Sequence, residues 1–190
     1  HVALFDFGYK NNIRRSLVER GCKVTVVPAR TTAEEIANGG FDGIMLSNGP
    51  GDPAENVEII ENLKKITHLG LPVFGICLGH QLTALAHGAK TEKLKYGHRG
   101  VNQPVTDYAK DRTYITSQNH GYAVVSESVD ASVGEISHAN ANDRTVEGIR
   151  YKDIPCFTVQ FHPEACGGPR DTGYLFDEFV AMMRAQKGEA

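Results

Sequence analysis

Between residues 2 and 87, short apolar runs alternate with segments of helical periodicity. This alternation constrains the fold more than any other feature of the sequence. Val2-Ala-Leu-Phe5, Lys23-Val-Thr-Val-Val27, Gly43-Ile-Met-Leu46 and Val73-Phe-Gly-Ile76 have the length and continuous hydrophobicity of strands buried on both faces. A helix is expected between each pair. The first starts near Asn11, with Ile13, Leu17 and Val18 on one face and Gly21 as its stop. The second opens with the capping box Thr32-Ala-Glu-Glu35 and ends at Gly39 and Gly40. In the third, Asp52 caps, Pro53 takes the first helical position, and Val57, Ile60 and Leu63 form the apolar stripe. A fourth spans residues 78–87. Strands joined by helices of this length demand right-handed βαβ crossovers and a mostly parallel open sheet flanked by helices.

After Lys90 the texture changes. Residues 101–105, 113–116, 122–125, 135–138 and 145–151 read as short strands with turns between them, so a more antiparallel β section is expected. One more strong strand, residues 156–161, precedes a final helix carrying Leu175, Phe176, Phe179, Val180 and Met183 at helical spacing. With 190 residues and no linker or repeat, a single α/β domain over residues 1–190 is the expected organisation. The chain opens at His1, directly on a strand, which predicts a domain drawn from a longer polypeptide with a further domain before it.

In open parallel sheets, ligands bind at the carboxyl ends of the strands, and three unusual segments fall there. Gly75-Ile-Cys77-Leu-Gly79 has the form of a nucleophile elbow on a strand-to-helix turn. Its thiol lies at a helix N-terminus, where the dipole favours thiolate. The plainer alternative is a small buried cysteine. His162-Pro163-Glu164 follows the last strand, and residues two apart in extended chain face the same side, so the carboxylate can orient the imidazole. Ser47-Asn-Gly-Pro-Gly-Asp-Pro53 offers backbone amides at Gly49 and Gly51 that suit an oxyanion hole, completed by the amide of Leu78.

Other signals are weaker. His80 is expected to pack behind the elbow rather than act as the base. His162 and Cys166 have H-x₃-C spacing without a second ligand pair, so no metal is expected. Lys93, Lys95, His98 and Arg99 read most simply as a solvated hairpin. The loop after residue 46 lacks the G-K-[ST] of a P-loop, and no G-x-G-x-x-G follows the first strand, so neither ATP nor a dinucleotide is expected in this domain. A formal net charge of −3 provides no broad basic field for nucleic acid, and no apolar run is long enough to cross a membrane. Four cysteines without a C-x-x-C pair suit a reducing cytoplasm.

Together these segments resemble the class I, triad-type glutamine amidotransferases. Gly75-Ile-Cys-Leu-Gly-His-Gln81 resembles that family's nucleophile motif, and Phe161-His-Pro-Glu164 its His/Glu motif. Three further segments resemble one branch, the amidotransferase domain of carbamoyl-phosphate synthetase small subunits. They are Asp6-Phe-Gly-Tyr-Lys-Asn-Asn-Ile13 (D-x-G-x-K-x-N-I), Ser117-Gln-Asn-His-Gly-Tyr122 (S-Q-N-H-G-F) and Gly168-Pro-Arg-Asp-Thr-Gly-Tyr-Leu-Phe176 (G-P-x-D-T-x-Y-L-F).

The resemblance implies a flavodoxin-like fold, Cys77 as nucleophile, His162 as base and Glu164 as its orienter. It also implies that Gly49, Gly51, Leu78, Gln81, Asn119, Gly121 and Tyr122 hold L-glutamine. Tyr122 replaces the usual Phe, and its added hydroxyl requires a partner. The implied partner is the synthetase large subunit, which carries the ATP and divalent-metal chemistry for arginine and pyrimidine synthesis; no cofactor is implied here. Two alternatives stay open: a non-catalytic synthetase-docking module, and an amidotransferase of another synthetase (anthranilate, GMP or CTP type) or a γ-glutamyl hydrolase.

Overall fold

A computed structural model describes residues 1–165 and 171–189. Nine strands form one sheet: β1 (Val2–Asp6), β2 (Val24–Pro28), β3 (Gly43–Leu46), β4 (Val73–Ile76), β5 (Thr91–Asp107), β6 (Arg112–Val124), β7 (Gly134–Asn140), β8 (Val146–Tyr151) and β9 (Cys156–Val159). Their order is β2-β1-β3-β4-β9-β8-β7-β5-β6. The five strands from β2 to β9 run parallel, and those from β9 to β6 pair antiparallel.

Alternate residues of the parallel strands build two separate cores, as the two-residue period of a strand requires. Ala3, Phe5, Ile44, Leu46 and Val73 face one side. They meet Ile36 of α2 (Ala33–Asn38), Leu63 and Ile66 of α3 (Val57–Ile66) and Leu82 of α4 (Leu78–Ala86). Val2, Leu4, Met45, Phe74 and Ile76 face the other, against Ile13 and Leu17 of α1 (Asn11–Val18) and Phe176 and Phe179 of α5 (Tyr174–Gln186). Phe74 stacks on Phe157 at 4.5 Å and meets the edge of Phe176 at 5.4 Å. The capping box at Thr32 and Glu35 forms as the sequence predicts.

Several local expectations are corrected. Asp52 caps a short 3₁₀ turn, Pro53–Glu55, and α3 begins only at Val57. Val57 and Val18 point outward, at 64% and 50% exposure, so the buried faces of α3 and α1 are narrower than their apolar stripes suggest. The strands expected at 101–105, 113–116 and 122–125 belong to one long ribbon of β5 and β6. Its pairing is broken by register shifts between Lys93 and His98 and between Gly100 and Gln103. Each bulge re-aims the side chains beyond it, which hides the alternation a regular strand would show. The last strand stops at Val159, two residues earlier than expected. Cys166 and Gly168, Pro169 and Arg170 of the tail motif lie outside the described residues; the later part of that motif seats Leu175 and Phe176 in the core.

Candidate active site

A cavity of about 550 Å³ opens at the carboxyl ends of β1, β3, β4 and β9. Gly8 follows β1, Asn48 to Asp52 follow β3, Cys77 follows β4 and His162 lies beyond β9. Asn119 to Tyr122 of β6, with Lys93 and Arg99 of β5, form the opposite wall.

Cys77 joins β4 to α4 with φ 52° and ψ −101°, a left-handed backbone rare for any residue other than glycine. The surrounding bonds hold this strained residue in place. Its amide donates to the Val159 carbonyl at 2.9 Å, and the Gly79 amide donates to the Ser47 carbonyl at 3.0 Å. The turn packs so tightly that a Cβ on Gly79 would stand 2.5 Å from the Leu46 carbonyl oxygen. Cys77 and Cys156 are both buried, but Cys77 borders the cavity, whereas the Cys156 thiol does not and is pushed well up by burial.

The sheet brings β9 beside β4, so His162 meets the elbow from a distant part of the polypeptide. Its amide donates to the Ser117 carbonyl at 2.9 Å, which fastens it to β6. The ring Nδ1 lies 2.7 Å from Glu164 Oε1, with both side chains almost wholly buried. Burial opposes charge on the ring, but contact with Cys77 and with the Glu164 carboxylate outweighs it and raises the pKa to about 9. His162 is therefore an imidazolium at neutral pH, facing the sulfur. Glu164 stands behind it, outside the cavity, on the wall of a second hollow beside α1.

The other predicted residues divide. Gly49, Gly51, Gln81, Asn119, Gly121 and Tyr122 line the cavity. Leu78 does not; its side chain packs in the core, and its backbone starts α4 directly after Cys77. Gln81 uses its amide nitrogen on the Tyr122 carbonyl, 2.8 Å, and on Gln160 Oε1, 2.9 Å, leaving its own oxygen for a ligand. The Tyr122 hydroxyl has Asp52 as its neighbour; desolvation and that carboxylate raise the phenol pKa. His80 packs as expected, 2.8 Å from Thr158 Oγ1, and burial keeps its ring neutral with a pKa of about 3.

The hairpin reading of the basic stretch holds for Lys93, Lys95 and Arg99, which are exposed on the antiparallel β5/β6 pair, and is corrected for His98. Lys93 and Arg99 border the cavity, and His98 is buried between Asp143, at 2.7 Å, and Glu147, at 3.5 Å. The nearby Glu147 carboxylate, with help from Asp143, outweighs burial and raises the His98 pKa to about 9. His98 and His120 with Glu147 form the one close His/carboxylate group of its kind among the described residues. Sequence reasoning misses Lys10 and Gln160 and does not connect the exposed Lys93 and Arg99 with the cavity. A cation on a bulged strand and an amide at a strand end carry no periodic signal.

The class-I glutamine amidotransferase family profile matches residues 3–182. The carbamoyl phosphate synthase small chain of Bacillus anthracis is 57% identical over 188 residues, covering 99% of this chain and 51% of that protein. That of Chlorobaculum tepidum is 53% identical over 189 residues, covering 98% and 51%. The chain thus spans about half the length of the curated relatives it matches. The crystal structure of a Thermoplasma acidophilum protein described as a GMP synthase component superimposes with a TM-score of 0.86 at 23% identity. It covers 98% of this chain and 95% of that one, which establishes the shared fold. No helix among the described residues is long and apolar enough to cross a membrane.

Proposed function

The chain belongs to the class-I glutamine amidotransferase family, and on that basis we propose that it hydrolyses L-glutamine to glutamate and delivers the ammonia to a carbamoyl-phosphate synthetase large subunit. The observation that carries this reading is a thiol on a strained elbow, facing an imidazolium backed by a buried carboxylate, at the floor of a polar cavity.

The reaction follows from the chemistry of these groups. The Cys77 sulfur attacks the side-chain amide carbon of glutamine, and the carbonyl oxygen becomes an oxyanion. Backbone amides of Gly49 and Leu78 stabilise it; one such donor is typically worth about 10²–10³ in rate. The His162 imidazolium passes its proton to the leaving nitrogen, the C–N bond breaks and ammonia departs. The ring, now neutral, takes a proton from water, whose oxygen attacks the γ-glutamyl thioester. The C–S bond breaks, glutamate leaves, and the sulfur and the protonated ring are ready for another turnover. Gly51, Gln81, Asn119, Gly121 and Tyr122 hold the amino-acid head, which needs both donors and acceptors.

The partner assignment rests on the relatives' names and on the three small-subunit segments. ATP and divalent metal are assigned to the large subunit, and no cofactor to this domain. Free thiols at Cys22, Cys77 and Cys156 suit the cytoplasm. The test is Cys77→Ser in the full-length protein assembled with its synthetase. Glutamine-dependent carbamoyl phosphate formation should disappear while ammonia-dependent formation continues. Retained glutamine hydrolysis would refute the nucleophile, and loss of both activities would refute the division of labour between subunits.

A further inference from the structure

Gln160 is fully buried just past the end of β9, two residues before His162, and its side-chain nitrogen lies 3.5 Å from Cys77 Sγ. That separation is a hydrogen bond when the acceptor is sulfur, whose radius exceeds that of oxygen. We propose that Gln160 is a catalytic residue, donating an N–H to the nucleophilic sulfur, and that Gln81 is the positioning residue that aims it. The proposal rests on the function argued above and adds a contact to the same site.

Accounting for each hydrogen fixes the direction of the chain of bonds. The Tyr122 carbonyl can only accept. The Gln81 group 2.8 Å from it must therefore be the amide nitrogen. The same nitrogen lies 2.9 Å from the Gln160 side chain, and its second hydrogen needs an acceptor there, so the Gln160 oxygen faces Gln81. The Gln160 nitrogen is then directed at Cys77. Its main chain is fastened as well, with the Gln160 amide donating to the Glu147 carbonyl at 2.8 Å. No rotation of either side-chain amide satisfies all of these partners at once except this one.

The consequence is chemical. A charged sulfur accepts a hydrogen bond more strongly than a neutral thiol does, so a fixed donor favours the attacking form. His162 supplies positive charge and exchanges its proton during the reaction, whereas an amide N–H at Gln160 cannot be lost to the leaving group. Gln160 therefore supports the sulfur at every stage in which it carries charge: before attack and after the thioester is broken. The bond series also ends in β6, at the wall of the cavity assigned to the amino-acid head of glutamine. Gln81 thereby connects the seat of the substrate to the nucleophile.

The test uses the full-length protein with its synthetase and two readouts. Iodoacetamide labels Cys77 without needing the glutamine seat, and glutaminase turnover reports the reaction. In Gln160→Leu, Cys77 alkylation at neutral pH should slow by about tenfold to a hundredfold, the range expected for a lost hydrogen bond to a charged group. Its rate–pH profile should move to higher pH. The glutaminase kcat should fall by a similar factor. In Gln81→Leu, which leaves the Gln160 amide present but unaimed, alkylation should slow by a smaller factor. If Gln160→Leu does not fold, Gln160→Glu keeps the oxygen that faces Gln81 and removes the amide donor; alkylation at neutral pH should again slow. Wild-type alkylation profiles in a folded position-160 variant would overturn the proposal. Absence of glutamine hydrolysis by the unaltered protein would instead overturn the functional reading, while the alkylation comparison still decides the role of Gln160.

Discussion

Replacing Glu164 by Gln removes one charge from behind the catalytic ring while keeping the shape of the side chain and an oxygen for the ring N–H. In the native chain that carboxylate is 2.7 Å from Nδ1 and wholly shielded from water. The His162 pKa stands at about 9, against an ordinary 6.5, even though burial works in the opposite direction. At about 1.36 kcal/mol per pH unit, the difference corresponds to about 3 kcal/mol favouring the protonated ring in the folded protein. Because the folded-state value is raised, this contribution to stability is complete below pH 6.5 and is lost as pH rises through about 9.

An opposite charge at such close range typically accounts for about 1–3 pH units. In Glu164→Gln the alkaline limb of glutaminase kcat/KM should therefore move from near 9 into the neutral range. The limb belongs to the coupled Cys77–His162 pair, so the informative quantity is its displacement between the two proteins. A matched pH series of kcat/KM on wild type and variant measures it. The stability advantage of wild type over the variant should also shrink as pH rises. If the limb stays near 9 in the variant, Glu164 does not hold the proton on His162 and the account of the triad fails.

Three further outcomes are expected. Gly79→Ala places a methyl against the Leu46 backbone, and urea unfolding should show a loss of about 1–3 kcal/mol. His98→Ala leaves the fully buried Glu147 without its closest cation; removing one member of a buried pair costs about 3–5 kcal/mol, measurable as a lower thermal midpoint at neutral pH. Arg99→Ala withdraws a cation from the cavity wall; KM for glutamine should rise by up to about fivefold, and the effect should diminish in high salt.

The parallel half of the fold is legible in the sequence because its strands are covered on both faces and so appear as continuous apolar runs with helical stripes between them. The elbow is legible because a nucleophile between two glycines at a strand end is an unusual local pattern. His162 and Glu164 become interpretable only beside Cys77. The ribbon of β5 and β6 reads as separate short pieces, since two register shifts and a half-exposed surface erase its alternation. The same irregularity conceals that the exposed Lys93 and Arg99 border the cavity and that His98 is buried. Asp52 signals a helix start, and the chain answers with a single 3₁₀ turn, because a capping residue specifies how a turn begins and not how long it continues. Gln160 leaves no pattern at all: its meaning depends on three partners contributed by separate elements.

The placement of β9 between β4 and β8 bears on how the protein is made. A ribosome releases the elbow cysteine long before it releases the residues that pair with it, and the intervening polypeptide carries the strands β5 to β8. Insertion of the last strand is a late, long-range closure, the kind of step that slows folding. The nascent chain thus carries its sulfur without the partner ring for much of synthesis. The pairing of Cys77 with His162 and Glu164 therefore arrives only with topological completion of the sheet.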